Sequence, residues 1–238
     1  MKKIVFFLIA AALISSMAFA GEKEEVIAVA VADYLLSARD VLSNNQILIN
    51  DASKGDKGFT PDVYEKQVQV RFLAAAGIDV KSLTGKENEE LYKAIYKIHA
   101  AAKEVIAEAQ AQINEKGKGF KWFNPAVFGR RVGEKLQASG IMVKQTSLKY
   151  RNDKNKPDEF EAGMLKKFEA GKKDAHFEEA VVNGTKMARY ILPVHVYKGC
   201  LSCHGDPIGE KDISGYAKEG YKEGQIRGAI SVMVPVKQ

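Results

Sequence analysis

Cys200-Leu201-Ser202-Cys203-His204 holds the only two cysteines of a 238-residue chain. Two thiols three positions apart can each add across a vinyl group of a haem. A histidine next in sequence is then held beneath the ring, where its neutral imidazole can ligate the iron. Attachment and axial ligation are thus written in five consecutive residues, with Cys200 and Cys203 as thioether donors and His204 as proximal ligand. Two other chemistries use the same residue types. A thioredoxin-like redox pair normally opens a helix in a βαβ setting. A structural zinc site needs four ligands, and no second Cys-x-x-Cys exists here. The spacing points to one covalent haem c.

The sixth iron ligand decides what such a haem does. His99, His195 and His176 are candidates, and Met142, Met164, Met187 and Met233 are others. His195 lies on the strand leading into the motif, His176 precedes a strand in a charged segment, and His99 follows Ile98 on an apolar helix stripe. Each also has a plain structural reading: a surface hydrogen bond, solvent exposure, or core packing. A second strong protein ligand saturates the iron and suits electron transfer; an open or weakly filled position admits a small gas and suits sensing. No nucleophile–base pair, phosphate loop or second metal motif is visible, so no enzymatic activity is expected.

The N-terminus bears on the compartment. Lys2 and Lys3 precede an apolar run from Ile4 to Ile14, and Ala18-Phe19-Ala20 gives a small-x-small site, so a secretory signal peptide cleaved after Ala20 is expected. No later stretch reaches the roughly 20 apolar residues of a membrane span. Export and the haem motif agree, because haem c is attached after export in bacteria; a soluble periplasmic protein is expected. The formal charge of +6 falls to +4 when Lys2 and Lys3 leave with residues 1–20. Charges are well mixed, as from Lys86 to Glu90, which reads as a solvated surface and not a nucleic-acid patch.

The elements that must position the motif follow in order. Apolar residues recur at helical spacing from Glu22 to about Asp51, predicting one long amphipathic helix whose stripe could also pair with a second copy. Thr60-Pro61 caps a helix that stops at Gly77. A second long helix spans about Glu87 to Glu115, and another runs from Pro125 to Ala138. No internal repeat of fold size is expected: Lys57-Gly58-Phe59 and Lys118-Gly119-Phe120 echo each other, but with no wider similarity between their flanks the echo reads as coincidence or shared loop chemistry. From Ile141 to Tyr150 the pattern alternates as a strand; Asp158 to Ala170 is a short helix with Phe160, Met164, Leu165 and Phe168 as its apolar face. Asn183-Gly184 joins two strands, 177–182 and 185–197, as a type I′ hairpin. Gly205 to Gly224 is a glycine- and lysine-rich loop, flexible by composition, expected to wall the haem, and Ile226 to Val236 is a last strand. Helices first and an antiparallel sheet after make an α+β chain: one haem c domain over 21–238, helical to about 140 and sheet from 141.

These residues resemble an exported mono-haem c family with a PAS-like fold, long known only as a domain of unknown function. The resemblance rests on Ala38-Arg39 through Ile49-Asn50, Leu148-Lys149-Tyr150-Arg151-Asn152 with Asn155, Pro157 and Asp158-Glu159-Phe160-Glu161, Cys200 to Pro207, and Gly228 to Val232. It implies a PAS-like sheet holding the haem, with a redox or gas-sensing role in the periplasm. At least one member uses a cysteine thiolate as distal ligand; this chain has no third cysteine, so that ligation does not carry over. A chain of this kind without a transmitter segment would pass its signal, or its electron, to a separate protein.

Overall fold

The computed structural model describes residues 21–83 and 89–237. The signal peptide expected over 1–20, and the start expected at Glu87 for the second long helix, lie outside them. The helical part comprises α1 (Glu22–Asn44), α2 (Gln46–Ile49), α3 (Pro61–Ala76), α4 (Glu90–Glu108), α5 (Gln110–Ile113) and α6 (Pro125–Leu136). β1 (Met142–Thr146) and α7 (Glu159–Glu169) follow, then β2 (His176–Val182), β3 (Thr185–His195), the single turn α8 (Leu201–His204) and β4 (Ile226–Pro235). The four strands form one antiparallel sheet in the order β1-β4-β3-β2. The architecture is the α+β arrangement of helices packed on an antiparallel sheet. None of the described helices is long and apolar enough to cross a membrane.

Helix α1 sits at the centre. It contacts α3, α4 and α6 on the helical side and β3 and β4 on the sheet side. Ala28, Val31, Ala32, Tyr34, Leu35, Ala38, Val41 and Leu42 are all 0 % exposed, and no residue from Ile27 to Ser43 is classed as exposed. The apolar stripe of α1 is packed within the chain. The expected single helix to Asp51 also breaks at Asn45, whose side-chain amide donates to Val41 O and to Gln67 Oε1, both at 2.8 Å. Such side-chain bonds compete with the helical ladder.

The same break recurs at Ala109, and this exposes a repeat. Each half of the helical part is a long helix, a one-residue break, a one-turn helix, a loop, and a helix opened by proline. The offset is 110 − 46 = 64 residues, which pairs Gln46/Gln110, Ile49/Ile113, Asn50/Asn114, Lys54/Lys118, Gly55/Gly119, Lys57/Lys121, Phe59/Phe123, Pro61/Pro125, Val63/Val127 and Val68/Val132. The echo of Lys57 with Lys118 noted above is a misregister of this true repeat, in which Lys118 matches Lys54.

The two halves clasp each other by reciprocal bonds. Gln46 Nε2 donates to Phe123 O and Gln110 Nε2 to Phe59 O, both at 3.1 Å. Lys57 N donates to Asn114 Oδ1 at 3.0 Å and Lys121 N to Asn50 Oδ1 at 3.1 Å. Both lysines are buried, with their ammonium groups on loop carbonyls: Lys57 on Lys54 O and Gly55 O, Lys121 on Glu115 O and Lys118 O. A long charged side chain is tolerated inside because its donors are satisfied. Tyr64 and Phe128, equivalent residues, meet at 5.8 Å where the halves join.

Local signals place the remaining elements. Thr60 accepts from Val63 N and Asn124 from Ala126 N and Val127 N, each ahead of a first-turn proline. Asp158 and Glu161 form a reciprocal capping box at α7. Asn183 and Gly184 take positive φ of 50° and 80°, as a type I′ turn requires. Strand β1 is shorter than expected because the chain turns after Thr146: Ser147 N donates to Asn155 O at 3.3 Å and its hydroxyl to Arg227 O at 2.8 Å.

Because the clasp is reciprocal, Gln46→Ala and Gln110→Ala are expected to cost similar stability, about 1–2 kcal/mol each. Urea titration followed by circular dichroism checks this; a cost confined to one of them would break the equivalence.

Candidate functional site

The haem motif lies on one turn of chain between the end of β3 and the long 205–224 loop. A 3-10 turn, Lys198–Cys200, runs into α8, so Cys200, Cys203 and His204 follow one another on about one and a half turns. Both cysteines are free and half-buried, and burial pushes both thiols up from their ordinary pKa. The turn is tightly wound: a Cβ on Gly205 would lie 2.7 Å from Leu201 O.

His204 is oriented from behind. Its Nδ1–H donates to Glu219 Oε2 at 2.8 Å, which leaves the Nε2 lone pair for a metal. A carboxylate on the far nitrogen is the usual means of fixing the tautomer and ring direction of a metal-ligating histidine. Burial lowers the His204 pKa, favouring the neutral imidazole. Burial would raise the Glu219 carboxyl, but hydrogen bonds from His204 and Arg151, with the Arg227 charge, hold it down at about 2. Tyr221 stands edge-on to the imidazole at 6.4 Å.

Arg151 is the residue on which this arrangement converges. Its Nε and one terminal nitrogen fork onto Glu219 at 2.6 and 2.8 Å. Its other terminal nitrogen donates to Asp212 Oδ2 at 2.7 Å, and bonds to Cys203 O at 2.9 Å and Ala217 O at 3.2 Å complete the fork. Arginine suits this task because five donors in one plane can serve several acceptors at once. The 205–224 loop is thereby tied to the motif. Backbone bonds from Tyr221 N to His204 O at 2.8 Å and from Gly224 N to Val196 O at 2.8 Å close it at its base. Composition alone suggested a loose segment, and the difference is this long-range anchoring.

Two further arginines flank Cys200. Arg227 donates to Ser147 Oγ at 2.8 Å, and its Nε lies 3.5 Å from His204 Nε2. Arg39, from the buried face of α1, has an Nε shut off from solvent with no partner among the described residues. Burial lowers both guanidinium pKa values, and both charges act on the Cys200 thiol. Helix α1 contacts the 3-10 turn of the motif, and a Cβ on Gly199 would meet Ser43 Oγ at 3.6 Å.

The other candidate ligands are engaged elsewhere. His99 is in the helical core, accepting at Nδ1 from the Tyr34 hydroxyl at 2.8 Å and facing Glu65 with Nε2 at 2.9 Å. His195 is exposed at the end of β3, with Nδ1 3.1 Å from Gly224 O. His176 lies on the outer strand β2, stacked near Phe160 at 6.0 Å. Met164 is packed with Leu165, Phe168 and Ile191, Met187 is buried, and Met142 is paired with Met233 across β1 and β4. Among the described residues no group of three or more His, Cys, Asp or Glu side chains converges, so a zinc site finds no ligand set. The donors present are of the kind one haem c would use: two unpaired thiols, one imidazole whose outer nitrogen accepts only a long bond from Arg227 Nε at 3.5 Å, and cations beside them for carboxylates.

Sequence reasoning named the motif but not Glu219, Arg39 or Arg227 as parts of the site. Arg151 and Arg39 stand in the segments that carry the family resemblance, and the structure gives Arg151 its reason there.

A family model for the Tll0287-like family matches residues 28–235, and the chain belongs to that family. Among solved structures it is similar to the crystal structure of the cyanobacterial haem-protein Tll0287, with 26 % identity over 63 % of this chain and 98 % of that one and a TM-score of 0.42. No protein of curated function matches it.

Removing Arg151 strips Asp212 of its ion pair and Glu219 of its fork, leaving Asp212 to Ser214 and Tyr216 N and Glu219 to His204 and the more distant Arg227. Arg151→Met is expected to cost about 3 kcal/mol in urea unfolding, with Arg151→Lys recovering only part of it. The carboxyl pKa values of Glu219 and Asp212 are lower in the folded chain than their ordinary 4.5 and 3.8. Their contribution is therefore complete above about pH 4.5 and is lost as pH falls toward 2. The urea midpoint is expected to drop over that window, less steeply in Glu219→Gln.

Proposed function

We propose that the chain carries one haem c on Cys200, Cys203 and His204 and serves outside the cytoplasm as a sensor or binder of a small gas or redox signal, not as an enzyme. The observation that carries this reading is the Nδ1–H bond of His204 to Glu219, which aims Nε2 outward beside two free thiols. Haem supplies the iron that takes up an electron or a diatomic ligand. The protein's part is to hold it: thioether bonds at Cys200 and Cys203 fix the ring, and Glu219, braced by Arg151, orients the proximal imidazole. Arg39 and Arg227 supply positive charge for the haem carboxylates. The exported location is supported by the leader-like N-terminus and by the chemistry of haem c attachment.

Openness of the sixth position is supported by the engagement of His99, His195 and His176 away from the motif. An open position suits ligand capture, whereas saturation suits electron carriage.

Purified, reduced protein is expected to show a Soret band that shifts under carbon monoxide. The double variant Cys200→Ala, Cys203→Ala should lose the haem mass from the intact protein. A six-coordinate spectrum in both oxidation states, unmoved by carbon monoxide or nitric oxide, would instead make the protein an electron carrier. Absence of covalent haem in protein from cells competent to attach it sinks both readings.

A further inference from the structure

We infer that the loop end of the helical repeat docks on an anionic phospholipid surface. The repeat supplies an internal control, because both loops build the same frame and differ where no frame is needed. Gly58 and Trp122 are equivalent, and both are left-handed, with φ of 63° and 55°. Glycine meets that demand freely, whereas a tryptophan meets it at a steric cost. The second loop nonetheless places tryptophan there, 52 % exposed and edge-on to Phe120 at 5.0 Å. Phe120 in turn replaces Asp56 of the first loop. Burial does not explain the tryptophan, and Phe120 is only half-buried beside it.

The clasp brings a third apolar side chain to this end. Gln46 holds Phe123 O, which sets α2 beside the aromatic loop, and the next residue, Ile47, is 90 % exposed. Around this tip stand Lys54 and Lys116, both exposed, and Lys118, which shares its charge with Glu115 at 3.1 Å. Buried Lys57 and Lys121 lie beneath. Five lysines against three acids, Asp51, Asp56 and Glu115, leave this end with a net charge of +2, the rim itself being Lys54, Lys116 and Lys118 and the other two ammonium groups lying beneath on loop carbonyls.

An apolar tip of Trp, Phe and Ile in a lysine rim is the chemistry of an interfacial anchor: the rings enter the headgroup boundary and the ammonium groups meet lipid phosphates. Three side chains are too few for a stable protein interface, which covers about 800 Å² on each partner. The docking is independent of the haem reading and needs only the helical half.

The chain contains a single tryptophan, so its emission reports Trp122 directly. The mature full-length protein would be sedimented with vesicles of phosphatidylcholine alone or mixed with phosphatidylglycerol. Binding is expected to the mixed vesicles, at least about ten-fold weaker to phosphatidylcholine and weakened by salt, with a blue shift of the tryptophan emission on binding. Trp122→Gly, which relieves the left-handed strain and should leave the circular dichroism spectrum unchanged, is expected to lose about ten-fold in vesicle affinity. Lys116→Glu with Lys118→Glu should lose a similar amount. Equal sedimentation of wild type and Trp122→Gly overturns the proposal. So does a blue shift that depends on protein concentration and not on vesicles, which would make the tip a contact between copies of the chain.

Discussion

Helix α1 is buried on most of its surface between Ile27 and Ser43, with only a half-exposed stripe at Val29, Asp33, Leu36, Asp40 and Ser43, and both halves of the molecule depend on that burial. The helical repeat wraps it on one side and the sheet lies on the other. A helix with so wide an apolar face gains its stability from packing more than from its own propensity. Substitution in the Ala28 to Leu42 core would therefore disturb two interfaces at once. Position on the helix decides where its charges go. Asp40, on the half-exposed stripe, faces Arg71 at the surface at 3.8 Å, whereas Arg39 is presented to the turn that carries Cys200.

Around His204 the charges are ordered in layers. The imidazole rests on Glu219, Glu219 on Arg151, and Arg151 also on Asp212 and the Cys203 carbonyl. Each anion has a cation on its far side, so a carboxylate can be kept ionised inside the protein next to a neutral histidine. The layering also fixes geometry. Glu219 comes from a loop 15 positions beyond His204, and only the fork of Arg151 makes that loop a fixed support (219 − 204 = 15).

Legibility in the sequence followed range. Thr60-Pro61, Asn183-Gly184 and the Asp158 capping box were readable because cap and turn chemistry is settled within four residues. The Cys-x-x-Cys-His of residues 200–204 stands out for the same reason, since all five residues are contiguous. Glu219 and Arg227 were not, since nothing local distinguishes them from surface charges; their roles exist only once β4 and the loop return to the motif. The repeat was missed differently. Its most visible triplets, at 57–59 and 118–120, suggest an offset of 61, whereas the break, the proline and the asparagine all align at 64. The partial agreement in the wrong register hid the true one. The break at Asn45 was missed because apolar periodicity continues through it and only its side-chain bonds to Val41 and Gln67 reveal it.

The site and the loop end share one short piece of chain. Arg39 and Ser43 face the motif, Asn45 breaks the helix, Gln46 holds the aromatic loop, and Asn50 caps Lys121. Twelve residues, Arg39 to Asn50, thus run from the Cys200 turn to the far end of the repeat without leaving ordered, hydrogen-bonded structure. The second half has no counterpart of Arg39: α5 occupies the place of α2, but α4 carries Lys103 at the equivalent position, paired at the surface with Glu65 at 2.6 Å and Asp62 at 3.1 Å. One difference between the copies therefore separates a cation sent to the Cys200 turn from one kept at the surface, where its partners are partly solvated carboxylates.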